Sequence, residues 1–226
     1  MIFSEKFYIG YRDIDSNLKI KNSAILNIFE DISGMHATQA GEGLKTSETT
    51  WLLTGYKVKN ITASREFEIK SEAGELLITG ISNWVHINLK SKKIEKVTDQ
   101  LIDAYQLEPE KTNFNERKLK KLKEPETYLN CIDYKIDLNW IDVNNHMNNI
   151  YYLELADMIL PEEVRKSNNC SNFEIMYKKE IKYGDIIKCY YAEPENTSHV
   201  VTLKNAETGE ICAIIKLYLE KNNKKT

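Results

Sequence analysis

Apolar residues fall on two different periods along this chain, and each period occurs twice. Ile25, Ile28, Phe29 and Ile32 follow the i, i+3, i+4, i+7 spacing that puts side chains on one helix stripe. Tyr152, Leu155, Ala156 and Ile159 repeat that spacing in the second half. After each helix the period shortens toward two. The segments Phe67–Lys70 and Leu76–Leu89 are rich in branched and aromatic residues, with Gly74-Glu75 between them, and predict two β-strands joined by a turn. The stretches Ile186–Ala192, Val200–Leu203 and Ile211–Leu219, with a turn at Thr208-Gly209, predict strands in the second half. Each half therefore reads as a short strand, a loop, one long helix and several antiparallel strands. Strands that follow a single helix, rather than alternating with many, predict an α+β architecture.

The halves align at an offset of 127 positions, which sets Asp15 on Asp142, Asn17 on Asn144 and Asn22 on Asn149. Between them lies a polar stretch, Glu108–Pro125, that carries Arg117, Lys118, Lys120, Lys121 and Lys123 and reads as a surface linker. The expected partition is an N-terminal domain over 1–107, a linker over 108–125 and a C-terminal domain over 126–226.

Composition narrows the function classes. With 226 residues, 42% hydrophobic and 29% charged, the chain has the make-up of a globular protein, and its net charge of −3 argues against a general nucleic-acid binder. No apolar run approaches the roughly 18–20 residues that span a bilayer. The N-terminus lacks the basic-then-apolar order of a secretory signal, so a cytoplasmic protein with no membrane association is expected. Cys131, Cys170, Cys189 and Cys212 form no CxxC pair and read as free, buried thiols. His36, His86, His146 and His199 are scattered and form no zinc-type cluster; all but His146 read as surface or hydrogen-bond-satisfied core residues.

The richest stretch is Asn139–Tyr152. Asp142, Asn144 and His146 occupy alternate positions immediately before the second helix, so an acid, an amide and an imidazole meet at a helix front end. Exposed N–H groups and the helix dipole there favour developing negative charge, which suits attack on a carbonyl. Asp and Asn in such places are also ordinary capping residues. The first copy helps to separate these readings, because Lys19 stands where His146 stands in the second. A calcium loop is excluded by spacing, since Met147 and Leu153 occupy the positions that need Gly and Glu.

The run Asp142-Val-Asn144-Asn-His146-Met-Asn148-Asn149-Ile-Tyr-Tyr152 closely resembles the D-x-N-x-H-V-N-N-x-x-Y signature of acyl-ACP thioesterases. Glu174-Ile-Met-Tyr177-Lys178-Lys179-Glu180 resembles that family's Tyr-Arg-Arg-Glu strand, and Asn83-Trp84-Val85 resembles its Ser-Asn-Trp-Val segment. The resemblance implies two tandem hotdog domains, each a long central helix wrapped by a curved antiparallel sheet. It implies hydrolysis of fatty acyl-[acyl-carrier protein] to free fatty acid and carrier thiol, without cofactor or metal. The carrier would present its acyl chain on a 4′-phosphopantetheine arm, and the chain would act as a monomer, through internal pairing, or as a homodimer. An acyl-CoA thioesterase and a non-catalytic acyl-thioester sensor stay open as alternatives.

Carried over position by position, the resemblance implies catalytic roles for Asp142, Asn144, His146 and Glu180. Plant members often have Cys directly after the glutamate; here Ile181 stands there, so a Cys-His-Asn nucleophilic triad is ruled out at that place and activated water is expected. Glu180 is the expected general base, delivered from a strand, with Asp142 as the competing choice. The N–H groups of Met147 to Asn149 are expected to supply an oxyanion site. The first domain is expected to be non-catalytic and to house the acyl chain, with Phe29, Met35, Trp51, Leu52 and Leu53 as walls. The linker lysines, or Lys178, Lys179 and Lys182 near Glu180, are expected to steer an acidic carrier.

Overall fold

The computed structural model describes residues 2–42, 49–53, 62–91, 93–115, 119–167 and 170–219. Arg117 and Lys118 lie outside the described residues, as does the Cys170 side chain. Contacts between Cα atoms divide the chain into two compact units, one of residues 1–8 with 27–120 and one of residues 9–26 with 121–226. The expected linker 108–125 is divided between the two units at 120/121, and residues 9–26, expected in the N-terminal domain, go with the C-terminal unit. Leu26 is the physical reason, since its side chain is buried in that unit's hydrophobic core.

In the N-terminal unit, helix α1 (Asn22–Gln39, whose first turn counts with the other unit) precedes strands β1 (Thr49–Leu53), β2 (Thr62–Lys70) and β3 (Leu76–Asn88). These form an antiparallel sheet of order β1-β3-β2. Helix α2 (Asp99–Tyr105) follows, opened by Thr98, whose hydroxyl accepts from the Leu101 N–H. The α1–sheet contact has a specific fit. Gly80 of β3 pairs with Phe67 of β2, and the Phe29 ring of α1 stacks on Phe67 at 4.3 Å between centroids. A Cβ at Gly80 would collide with the Phe29 ring. The bare backbone is what lets the helix approach.

A second fixture of this unit is polar. Glu42, just beyond α1, accepts hydrogen bonds from His86 Nε2 at 3.2 Å, Trp51 Nε1 at 2.5 Å and the Tyr105 hydroxyl at 2.9 Å. One buried carboxylate thereby ties β1, β3 and α2 to the end of α1. Burial and that neighbouring carboxylate push the Tyr105 phenol well up, so it stays a donor.

The C-terminal unit contains β4 (Asn130–Lys135), α3 (Ile150–Ile159), α4 (Glu162–Ser167), β5 (Cys170–Tyr177), β6 (Ile186–Glu195), β7 (Ser198–Asn205) and β8 (Ile211–Leu219). The strands form a five-stranded antiparallel sheet of order β4-β6-β7-β8-β5. The expected stripe of α3 is the buried one: Tyr152, Leu155, Ala156 and Ile159 are all at or below 4% exposure. They share one core with Ile187, Cys189 and Tyr191 of β6, Val201 and Leu203 of β7, and Ala213, Ile215 and Leu217 of β8. Each fully buried aliphatic side chain contributes about 1.5–3 kcal/mol, so the sheet holds α3 firmly. Among the described residues no helix is long and apolar enough to cross a membrane.

Two expectations about single residues are corrected. Cys131 is exposed, because position 131 of edge strand β4 points away from the core, while Cys189 and Cys212 are buried as expected. His86 and His199 are buried, but each keeps one ring nitrogen without a hydrogen-bond partner among the described residues, so neither is fully satisfied.

Two predictions arise from this packing. Gly80→Ala forces the Phe29 ring aside and should destabilise the protein by about 1–3 kcal/mol in denaturant unfolding. Asp157, on α3, is pushed up to about 7 by burial and by the neighbouring Glu154 carboxylate, against the opposing pull of Arg165 and Lys21. Its unfolded value is 3.8, so the folded state holds the proton more tightly. The associated stability is complete below about pH 4, falls as pH rises and is gone above about pH 7. Asp157→Asn should therefore gain stability relative to wild type as pH rises through that window. Parallel pH–stability curves for the two proteins would rule this out.

Candidate active site

The loop that carries Asp142, Asn144 and His146 is built by backbone hydrogen bonds that the chain makes twice. A 3-10 turn, Leu138–Trp140, leads into it, and a β-bridge joins Ile141 to Met147. The Asp142 N–H donates to the His146 carbonyl at 2.9 Å, and the Asn145 N–H to the Asp142 carbonyl at 3.1 Å. Asp142 Oδ1 accepts the N–H groups of Asn144 at 2.8 Å and His146 at 3.4 Å. The Asn148 N–H closes the loop on the Trp140 carbonyl at 2.9 Å. Asn145, at φ 61°, takes the left-handed conformation that the reversal requires and that asparagine tolerates.

Every one of these bonds recurs around Asp15. A 3-10 turn, Tyr11–Asp13, precedes a bridge between Ile14 and Ile20. The Asp15 N–H meets the Lys19 carbonyl at 2.8 Å, the Leu18 N–H meets the Asp15 carbonyl at 3.1 Å, and the Lys21 N–H meets the Asp13 carbonyl at 2.9 Å. Asp15 Oδ1 accepts from the N–H groups of Asn17 at 2.8 Å and Lys19 at 3.1 Å. Leu18, at φ 60°, matches Asn145. The aspartate and the loop are thus shared architecture, and the side chain at position 146 is where the copies part.

His146 lies against a second segment of the chain. The Met147 N–H donates to the Ile181 carbonyl at 2.7 Å, and both residues are buried, which fixes the loop against the segment after β5. The residues just before this anchor, His146 and Glu180, then lie side by side: His146 Nε2 is 3.0 Å from Glu180 Oε2. The Glu180 side chain is 51% exposed and the His146 side chain 28%, so water reaches the carboxylate while the imidazole is largely enclosed.

The expectation that Glu180 comes from a strand is corrected. β5 ends at Tyr177, and the N–H groups of Lys178 and Lys179 both converge on the Cys212 carbonyl, at 2.8 and 3.2 Å. That doubled contact breaks the strand alternation and turns Glu180 toward the loop. The oxyanion expectation narrows in the same way. The Met147 and Asn148 N–H groups already serve Ile181 and Trp140, which leaves the Asn149 N–H as the one without a protein acceptor among the described residues. Asn148 Oδ1 accepts the Ile150 N–H at 3.0 Å and so opens the helix.

Asn144 is exposed, with its Nδ2 3.5 Å from Asp142 Oδ2. Burial raises the thiols of Cys189 to about 12 and Cys212 to about 11, so neither is a ready nucleophile, and Ile181 is fully buried. Among the described residues, no group of three or more His, Cys, Asp or Glu side chains is placed to hold a metal ion. Of the expected acyl-chain residues, all in or next to the N-terminal unit's sheet and helix, Phe29 stacks on Phe67 and Trp51 is held by Glu42. Met35 and Leu52 are 45% and 41% exposed, and Leu53 ends β1 half-buried. Two features carried no sequence signal that we read: the stacking of Trp140 between Tyr134 and Tyr151, and the Glu42 hub. An aromatic residue at 140 where the first copy has Asp13 could have disclosed the former.

Comparison with known proteins gives a consistent picture. The family model of the acyl-ACP thioesterase C-terminal domain matches residues 123–220, and that of the N-terminal domain matches residues 56–105. The chain is 22% identical over 225 residues to oleoyl-acyl carrier protein thioesterase 1, chloroplastic, of Arabidopsis thaliana, covering 82% of this chain and 62% of that protein. It is likewise 22% identical to the oleoyl-acyl carrier protein thioesterase of Coriandrum sativum, covering 82% of this chain and 61% of that protein. The chain thus spans about three-fifths of the length of these relatives. Among solved structures, an acyl-ACP thioesterase from Bacteroides thetaiotaomicron superposes with a TM-score of 0.79 at 22% identity, covering 95% of this chain and 96% of that one. A 12:0-ACP thioesterase from Umbellularia californica superposes with a TM-score of 0.76 at 17% identity, over 94% of each chain. The fold is the α+β tandem hotdog.

The duplicated loop makes a stability prediction. Asp15→Ala and Asp142→Ala each remove one carboxylate that receives two backbone N–H groups, so each should cost on the order of 1 kcal/mol in denaturant unfolding. A several-fold larger loss for Asp142→Ala would refute the equivalence of the two loops.

Proposed function

The chain belongs to the acyl-ACP thioesterase family, and we propose that it hydrolyses fatty acyl-[acyl-carrier protein] through His146 and Glu180. The observation that carries this reading is the 3.0 Å contact between those two side chains, made by a loop whose twin elsewhere in the chain has Lys19 in place of the imidazole. Glu180 acts as the general base. His146 holds one carboxylate oxygen through its Nε2 proton, and the other faces a water that attacks the thioester carbon. As the water oxygen bonds to that carbon, its proton passes to Glu180. Negative charge then builds on the carbonyl oxygen, which the Asn149 N–H and the Asn144 amide stabilise. Collapse of the tetrahedral intermediate breaks the C–S bond, and the departing carrier thiolate takes up the proton.

Asp142 organises rather than reacts. Its Oδ1 is committed to two backbone N–H groups and its Oδ2 lies beside the Asn144 amide, which supports Glu180 over Asp142 as the base. A thiolate is a good leaving group, so this charge placement needs no cofactor. The N-terminal unit is non-catalytic in this scheme, and Phe29, Met35, Trp51 and Leu52 contact the acyl chain. The carrier docks beside the site, where Lys178, Lys179 and Lys182 are exposed; Lys179 is already paired with Glu210 at 2.9 Å, so Lys178 and Lys182 carry most of the steering.

Steady-state hydrolysis of a chain-length series of acyl-ACPs tests the proposal. His146→Ala and Glu180→Gln should each lower kcat about 10²–10⁴-fold, the range for loss of general-base catalysis. Unchanged turnover in both variants would sink the site. A clear preference of wild type for acyl-CoA would reassign the carrier, and binding without turnover would leave a sensor.

A further inference from the structure

Trp140 sits at the entrance of the catalytic loop in an unbroken ladder of three rings. Its indole stacks on Tyr134 of β4 at 4.8 Å and 7° between planes, and on Tyr151 of the first turn of α3 at 4.7 Å and 5°. The ladder therefore joins a strand, the loop entrance and the start of the helix. Its middle rung also makes a backbone contact, since the Trp140 carbonyl accepts the Asn148 N–H at 2.9 Å and closes the loop at its far end.

The first copy provides an internal control. At the same offset it has Phe7, Asp13 and Ala24, so no ladder can form. There, Asp13 caps its own turn through a carboxylate hydrogen bond from the Gly10 N–H at 2.8 Å. The loop around Asp15 nevertheless keeps the same backbone hydrogen bonds and the same left-handed residue. The ladder is thus not needed to form the loop. It accompanies the copy that must hold an imidazole against a carboxylate on a different segment.

We propose that Tyr134, Trp140 and Tyr151 are positioning residues that fix the catalytic loop as a rigid body so that His146 stays in register with Glu180. Stacking restrains what the hydrogen bonds leave free. The bonds within the loop define its shape, whereas the ladder sets its orientation on the sheet and on α3. Parallel rings at such distances gain roughly 0.5–1.5 kcal/mol per pair beyond the area they bury, and they resist tilting. Catalytic pairs tolerate little displacement, and a shift of about 1 Å costs on the order of 10²-fold in rate. The assignment rests on the proposed hydrolase activity.

The test uses Trp140→Leu, Trp140→Phe and Tyr134→Leu, the last of which breaks the ladder at the end farthest from the loop. All are assayed for acyl-ACP hydrolysis well below their unfolding temperatures. Trp140→Leu should lower kcat about 10–100-fold with KM within about twofold, Tyr134→Leu should lower it less, and Trp140→Phe should recover most of the loss. The ring 1H–15N resonances of His146, assigned by comparison with His146→Gln, should move in Trp140→Leu and return in Trp140→Phe. Wild-type kcat in Trp140→Leu, or a lowered melting temperature with unmoved His146 resonances, overturns the proposal. A moved His146 resonance in a protein whose wild type hydrolyses no acyl-ACP upholds the positioning role and rejects the hydrolase reading instead.

Discussion

The site depends on one carboxylate turned back on its own backbone. Asp142 Oδ1 gathers the N–H groups of residues two and four positions on, and this curls the chain so tightly that residue 145 must be left-handed. The strength of that constraint is visible in the other copy. Leu18 holds the same φ of 60° although a branched apolar residue disfavours it by about 1–2 kcal/mol. Leu18 is also 79% exposed, so packing does not compensate. The hydrogen bonds to Asp15 must outweigh the strain, and the loop shape is therefore imposed by the aspartate and not by the side chains after it.

Once the shape is fixed, placement becomes a question of anchoring. Met147 does this with one short hydrogen bond and a buried side chain, joining the loop to Ile181. An anchor between 147 and 181 brings 146 next to 180 without any demand on those two side chains themselves. Polar side chains can then occupy the exposed side of a joint whose buried side is ordinary core. This division explains how one half of the chain keeps the loop with Lys19 in place of the imidazole: the architecture survives when the imidazole does not.

The sequence made the repeated parts legible and hid the parts that arise from contact. The buried stripe of α3 and the strands that follow each helix could be read because their periods are local to the sequence, and the two loops because they recur at a fixed offset. The placement of Glu180 was not legible, since its departure from β5 depends on two N–H groups sharing the Cys212 carbonyl. No local pattern announces a shared acceptor. The Glu42 hub was hidden for a similar reason, because its donors come from residues 51, 86 and 105, and only folding collects them.

The described parts of the two units differ in what ties their elements together. The N-terminal unit ties its elements through a buried carboxylate with several donors, and the described part of its sheet has three strands. A buried polar group is costly unless its hydrogen bonds are made, so such a hub is intolerant of change. The C-terminal unit is held by a continuous apolar core between α3 and its sheet, with Leu155, Ala156, Val201, Leu203 and Ile215 excluded from solvent. Stability supplied by apolar packing leaves polar groups at the rim uncommitted. His146 and Glu180 stand at that rim, at the N-terminal end of a helix whose position the core already determines. An ionisable pair can be exposed to water there without weakening the fold, because the fold does not rely on it.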